Sequence, residues 1–496
     1  MFCIKTGCDT LLNDTGNVKH ASQRILSNMH VALVNTNRIK PPIAPIGLDY
    51  VAEALNGAGH HVSVLDLCWT DEWRSAIVNF FDKKDFDLVG ITLRNTDDCA
   101  FTTRHSFLGE FTDIINTLRE TTQALVVLGG VGFSVMPEQV LRRCRADAGL
   151  RGDGEFGFVQ LADKIESKQP WHDVAGLIWA HGDRWRHNPS STSPLTHLPP
   201  MSRRWVDNSR YFCEGGQAGI ETKRGCPGQC IYCADTLAKG KRVRTRPPKD
   251  VVREIESLLE QAIDHIHTCD SEFNLPQWHA LEVSEEMIRR NLGDKVHWYA
   301  YCSPASFSLE LAQKMRQAGC VGINFGVDNG DPQILRRLRR DFGPDDILSA
   351  VRICRQVGMA IMLDLLIGSP GETRKTVIAT IDLVKRAAPD RIGVAVGVRV
   401  YRGTELSNMV DQEAVRKGLI GGADESEPIF FLEPAVAPFV TELLDELIDN
   451  DERFFFFDPS RPERDYNYNA NKQLIEALGK GYRGAYWDIL RKYERP

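Results

Sequence analysis

No stretch of this 496-residue chain approaches 18 consecutive apolar residues, so no membrane-spanning helix is expected. The N-terminal MFCIKTGCDTLLNDTG lacks the apolar core of a signal peptide. Positive charge is also in deficit: 60 Lys and Arg stand against 67 Asp and Glu, a net charge of −7. That balance argues against nucleic acid as a partner. One short basic run, KGKRVRTRPPK at 239–249, reads as a solvated or anion-facing loop. The 13 cysteines are odd in number and follow no regular spacing, which argues against a disulfide framework. Free thiols in a chain with no evident leader point to a reducing cytoplasm.

What is present is an α/β alternation in two blocks. In the first, VALVN (31–35), HVSVLDL (61–67), DFDLVGITL (85–93) and ALVVLGG (124–130) are short apolar strands separated by amphipathic segments. Continuous apolar strands between helices predict a parallel, doubly wound sheet. Ligands of such sheets bind at the carboxyl ends of the strands, here 35–47, 93–99 and 129–137. The second block predicts about six βα units, a full or partial barrel. The expected organisation is an extension at 1–29, a doubly wound domain at 30–170, a linker at 171–215, a (β/α)6 barrel at 216–412 and a small mixed C-terminal cap at 413–496.

The most specific feature is KRGCPGQCIYCAD at 223–235, where Cys226, Cys230 and Cys233 follow a C-x3-C-x2-C spacing. Three thiolates on one tight loop suit three corners of a [4Fe–4S] cube and leave the fourth iron open. A structural zinc site needs a fourth protein ligand and commonly shows a second C-x2-C pair; no second pair appears. The open iron suits a ligand with amino and carboxylate donors. Tyr232, just before the third cysteine, can flank an adenine or pack within the loop.

With the βα units that follow it, this loop resembles the radical S-adenosylmethionine (SAM) superfamily over about 217–410. The resemblance implies that a carboxylate in CDSEF (269–273) grips the SAM amino group, with Glu272 first and Asp270 second. It places Gly326, in GINFGVDNG (322–330), near SAM, and suggests that Ser303 and Ser306 meet the ribose. LLIGSPGET (365–373) and VYRGTEL (400–406) match further strand ends, the second with Arg402 where the pattern usually has another residue.

The first half resembles the cobalamin-binding domain that precedes many radical SAM barrels, through RIKPPIAPIGLDYVAEALNGAGHHVSVLDL (38–67), DLVGITL (87–93), VVLGGVGFSVMPEQVL (126–141) and GLRGDGE (149–155). Thr92, Asn95, Gly129, Gly130 and Gly152 are the implied cofactor contacts. Gly129 and Gly130 would let the backbone approach a bulky ligand. The Asp-x-His-x-x-Gly motif of methionine-synthase-type domains is absent from 35–47. His60 and His61 start the second strand, away from the ligand edge, and are expected to be partly solvated. The cobalamin is therefore expected base-off, without a His ligand. Arg94, in LRNTDDC (93–99), is the candidate at the lower cobalt face, as in the family's tryptophan 2-C-methyltransferases; pairing with Asp97 or Asp98 is the alternative.

The resemblance implies a class B radical SAM methyltransferase. Methyl would pass from SAM through methylcobalamin to a substrate carbon, by a radical or a polar route, with Arg94 and Glu272 as the catalytic candidates. The substrate would be a small molecule or peptide, with a tryptophan-like carbon in natural-product biosynthesis as one option. A flavodoxin- or ferredoxin-type protein would supply electrons. Tyr466, Tyr468, Tyr486 and Trp487 could line an aromatic pocket or supply a base, though core packing explains most of them as well. A cobalamin-dependent cyclase or rearrangement oxidoreductase is the alternative. A non-enzymatic cofactor-binding sensor and a methylthiotransferase fit the pattern less well.

Overall fold

The computed structural model describes residues 28–494 apart from 192, 410, 411, 425, 457–467 and 470. The expected extension at 1–29 therefore lies almost wholly outside the described residues. So does Tyr466.

The first sheet has the order β2-β1-β3-β4-β5-β6-β7. Its strands are β1 (His30–Asn35), β2 (His61–Asp66), β3 (Leu88–Thr92), β4 (Leu125–Gly129), β5 (Ala148–Leu150), β6 (Leu177–His181) and β7 (Arg184–His187). β1 to β5 run parallel, whereas β6 and β7 return antiparallel. The strands read as uninterrupted apolar runs because both faces are covered. Helices Trp73–Phe81 and Leu108–Thr121 pack on one face, and Ile46–Gly57 and Gly154–Glu166 on the other. The order reverses between β1 and β3, so a ligand crevice is expected at their carboxyl ends. The linker expected at 171–215 is therefore partly sheet: Trp179 and Trp185 bury apolar surface against the domain core, which the Ser- and Pro-rich composition concealed.

A two-stranded ribbon, β9 (Lys223–Arg224) with β10 (Arg244–Thr245), frames the cysteine loop. The second sheet runs β19-β15-β14-β13-β12-β11-β8. Its strands are β8 (Ala218–Ile220), β11 (His265–Thr268), β12 (His297–Cys302), β13 (Cys320–Asp328), β14 (Ala360–Ile367), β15 (Arg391–Val396) and β19 (Phe454–Phe456). All pair in parallel, forming an open barrel. The strand count differs from six because the FFFF run, expected in the cap, supplies β19 at the barrel's edge. Phe457 of that run lies outside the described residues.

Alternation along the barrel strands separates two environments. Trp298, Ala300, Cys302, Ile323 and Phe325 face the surrounding helices. Tyr299, Met362 and Phe455 face inward, where the C-terminal helices Lys472–Gly479 and Tyr486–Glu494 pack against them. The C-terminal segment thus fills the barrel's inside instead of capping it from outside, because these inward residues are apolar and need cover. A small antiparallel sheet, β16 (Val398–Arg399), β18 (Phe430–Phe431) and β17 (Leu419–Ile420), completes the fold.

Buried charges join the halves. Arg203 reaches Asp49 of the first domain at 2.9 Å and Glu254 of the barrel at 2.8 Å. Glu254 also binds Arg246 at 2.7 Å and the Tyr50 hydroxyl at 2.8 Å. Arg224 pairs with Asp153 at 3.0 Å and Glu155 at 2.6 Å.

Candidate functional site

A cavity of about 380 Å³ opens at the carboxyl ends of β1, β3 and β4 and runs to the barrel. Its deep end is apolar, with Leu33, Val127, Leu150 and Phe158. Its outer wall is polar and comes partly from the barrel, with Glu221, Arg224, Lys239 and Cys269. Thr92, Arg94, Asn95, Gly129, Gly130 and Gly152 all line it, so the structure brings these expected contacts together. The glycines keep the mouth clear. A Cβ on Gly47 would meet nothing within 4 Å, and one on Gly129 only the Leu150 carbonyl at 4.0 Å. Gly130 has φ +96°, and a Cβ there would lie 2.5 Å from the Leu93 carbonyl, so no other residue fits the turn. A bulky ligand with an apolar tail fits this shape. His60 is buried against Asp163, 3.2 Å away, contrary to the solvation expected for it, while His61 is exposed. Both begin β2 at the opposite edge and neither lines the cavity.

Arg94 points across the domain boundary. Burial lowers its pKa, and the groups that act on it are Tyr486, Cys269 and Tyr301, all from the barrel or its C-terminal filling. No described carboxylate pairs with it. The alternative of pairing with Asp97 or Asp98 is not realised: Asp97 binds Arg399 at 2.8 Å, and Asp98 accepts from the Ala100 and His105 amides. Arg94 and Asn95 also border a second cavity of about 280 Å³ on the other side of their loop.

In the barrel, Gly225 at φ +92° and Gly228 allow the cysteine loop to curl. A Cβ on Gly228 would come within 3.2 Å of Cys226 Sγ and 3.8 Å of Cys230 Sγ. Burial pushes all three thiols up, Cys233 to about 12. They become thiolates at neutral pH only against a bound cation. The three-thiol donor set suits three corners of an iron–sulfur cluster.

Arg340 organises the surroundings of the loop. Its Nη1 lies 3.0 Å from Cys230 Sγ, its Nε 3.3 Å from Asp328 and its Nη2 3.8 Å from Glu272. The Tyr232 hydroxyl donates to Asp328 at 2.6 Å. Glu272 thus faces the cluster loop, with burial raising its carboxyl to about 7. Asp270 is consumed elsewhere, accepting from the Thr222 amide at 2.8 Å and hydroxyl at 2.6 Å. Gly326 leaves its side of β13 open except for Arg340 Nη2, 3.5 Å from where a Cβ would be. Ser303 is turned inward and buried, and its hydroxyl accepts from the Ala305 amide at 3.2 Å; the structure does not bring it to the site. Ser306 is exposed on the same loop.

Between the cluster loop and the C-terminal filling lies a set of inward residues that motif reading missed. Tyr301 keeps 42 % of its surface accessible, with Asp364, Cys269, Arg94 and Asn324 around it. The His267 ring lies 4.8 Å from the Tyr301 ring. Burial lowers the His267 pKa, so the ring is neutral at physiological pH. Its Nδ1 is 2.9 Å from the Thr268 carbonyl. A carbonyl only accepts, so Nδ1 carries the proton and Nε2 is the bare acceptor. Asn324 Oδ1 and Tyr486 Oη are buried without a hydrogen-bond partner among the described residues. Strand alternation at 267/269, 299/301 and 324/326 was the available signal. Trp487 is core, edge-on to Tyr299 at 6.0 Å.

The comparisons agree with this geometry. The B12 binding domain model matches residues 32–162 and the Radical SAM superfamily model residues 220–384. Tryptophan 2-C-methyltransferase of Streptomyces laurentii is 32% identical over 452 residues, covering 78% of this chain and 75% of that protein. The radical SAM methyltransferase TsrM of Kitasatospora setae, solved with tryptophan and a SAM analogue, superposes with a TM-score of 0.88 at 31% identity, covering 94% of this chain and 98% of that one. Its structure with cobalamin and a [4Fe–4S] cluster gives 0.85 at 29% identity. No described helix is long and apolar enough to cross a membrane. With both domain matches and these relatives, the chain belongs to the cobalamin-dependent radical SAM C-methyltransferases.

Proposed function

We propose that the enzyme methylates an aromatic carbon of a small molecule, tryptophan or a close analogue, on the polar route. The carrying observation is Arg94: without a carboxylate partner among the described residues, and facing both the cobalamin crevice and the aromatic chamber of the barrel. When bound, cobalamin supplies a carrier that takes methyl from SAM and yields it to carbon. A guanidinium has no lone pair to give a metal and stays protonated, so Arg94 would hold the lower face without ligating it, with the cofactor base-off.

Tyr301, Tyr468 and Tyr486 suit a flat aromatic ring. Asn324 Oδ1 is positioned to accept an N–H from it, whether ring or ammonium. An electron-rich ring carbon that gains methyl must lose its proton, and His267 Nε2 is the base we assign to it. Glu272 would hold the SAM amino group, with Tyr232 and Gly326 along the rest of the molecule. Electrons for activation would come from a flavodoxin- or ferredoxin-type donor. The described cysteines are all free, which suits a reducing, cytoplasmic setting.

The test is anaerobic turnover with SAM labelled on its methyl group and tryptophan as substrate. Label in a 2-methylated indole is expected. Deoxyadenosine with an unmethylated product would sink the proposal in favour of a cyclase or rearrangement. Asn324→Ala should raise KM roughly tenfold, the loss of one hydrogen bond, with kcat little changed.

A further inference from the structure

The loop that carries Arg94 leaves β3 at Leu93 and rejoins its domain at Phe107. Its own domain holds only the ends. Leu93 N–H donates to Gly129 at 2.8 Å, Gly132 N–H to Arg94 at 2.9 Å, and Phe107 N–H to Thr96 at 3.0 Å. The middle closes on itself, with Asp98 N–H donating to His105 at 3.1 Å and Arg104 N–H to Ala100 at 2.8 Å, and its outer side is held by the small sheet beyond the barrel. Arg399 of β16 reaches the buried Asp97 carboxylate with Nη2 at 2.8 Å and Nε at 3.2 Å. The guanidinium is itself fixed, with Nη1 donating to the Val400 carbonyl at 2.7 Å and to Ile429 at 3.0 Å, and with the Tyr401 ring 4.4 Å away. Cys99 Sγ lies 3.2 Å from the Tyr401 hydroxyl. Phe101 packs edge-on to Phe430 at 5.8 Å and beneath Gly397, where a Cβ would lie 2.8 Å from its ring.

We propose that Asp97 and Arg399 form a clasp by which the β16–β18–β17 sheet positions Arg94, and through it the lower face of bound cobalamin. This rests on the reading of Arg94 given above. Arg399 is a positioning residue; Arg94 is the group that meets the cofactor. The clasp has a second role that follows from charge. Asp97 is three residues from Arg94, with which no described carboxylate pairs, and a buried carboxylate deprived of its partner is an uncompensated charge that attracts a nearby cation. Arg399 therefore keeps Asp97 from capturing Arg94, leaving the Arg94 guanidinium directed at the ligand.

The test uses the cobalamin-loaded enzyme reduced to the cob(II) state, whose electron paramagnetic resonance spectrum reports whether a lower ligand is present. Arg399→Met is expected to give the spectrum of Arg94→Ala, with water gained at the lower face. Arg399→Lys should retain much of the wild-type signal, and Asp97→Asn with Arg399→Met should recover part of it because the competing carboxylate is gone. A wild-type spectrum in Arg399→Met beside an altered one in Arg94→Ala overturns the clasp. Unchanged spectra in both variants overturn the reading of Arg94 itself. Should Arg399→Met fail to fold, Asp97→Asn without added cobalamin decides. Amide exchange at 94–106 is expected to rise about tenfold over wild type, with the cluster absorbance of 223–235 unmoved; equal exchange overturns the proposal.

Discussion

The backbone of the cysteine loop is fastened within the barrel, with Arg224 at its start tied to Asp153 and Glu155 of the first domain, whereas the middle of the Arg94 loop is fastened by side chains across the domain boundary. Around Cys226, Cys230 and Cys233 the fastenings are backbone bonds within the barrel: Cys226 N–H to Gly240 at 3.1 Å, Ile231 N–H to Leu338 at 3.3 Å and Leu406 N–H to Ile231 at 2.8 Å. In the Arg94 loop the Gly132 amide holds Arg94 from its own domain, and side chains far along the chain, Arg399, Tyr401 and Phe430, hold Asp97, Cys99 and Phe101. The shape of that loop therefore depends on the far sheet more than the cysteine loop does.

The largest test of that contrast replaces all three cysteines by Ala. Visible cluster absorbance should vanish, with cobalamin binding and the visible corrin bands preserved; loss of both would show that the halves are not separable. Arg94→Ala is the reciprocal change. Methyl transfer should fall by roughly 10²–10³, the scale for losing one electrostatic contact at a reacting centre, with cluster absorbance intact. His267→Gln should slow turnover about 10²-fold, as expected for a general base. Because burial lowers the His267 pKa, the wild-type rate should be flat above the ordinary histidine range near 6.5 and fall only at lower pH, where the ring gains its proton; His267→Gln should abolish that limb in a kcat–pH profile. Gly129→Leu is the smallest change. It fills the crevice mouth without a strained backbone, so cobalamin affinity measured by titration should drop about tenfold while the thermal midpoint moves little.

The same contrast explains what could be read from the chain. The candidate cluster loop was legible because thiol spacing and the intervening glycine are local properties. The doubly wound sheet, the glycine crevice and Arg94 followed from periodicity and from the resemblance. The seventh barrel strand was not legible, since FFFF suits a strand or a buried cap equally until a partner strand is known. β6 and β7 were hidden by the Ser- and Pro-rich composition around them. Loop position did not give the direction of the Ser303 side chain, whose hydroxyl turns back to the Ala305 amide. His267, Asn324 and Tyr301 converge only once parallel pairing places β11, β12 and β13 side by side.

The buried charges between the halves make each half depend on the other for its solvation. Parting the domains would leave Arg203 without Asp49 and Arg224 without Asp153 and Glu155, charges that only water could then satisfy. By the same token neither half is a detachable module: a cut through 188–217 would yield two pieces, each exposing half of an ionic joint.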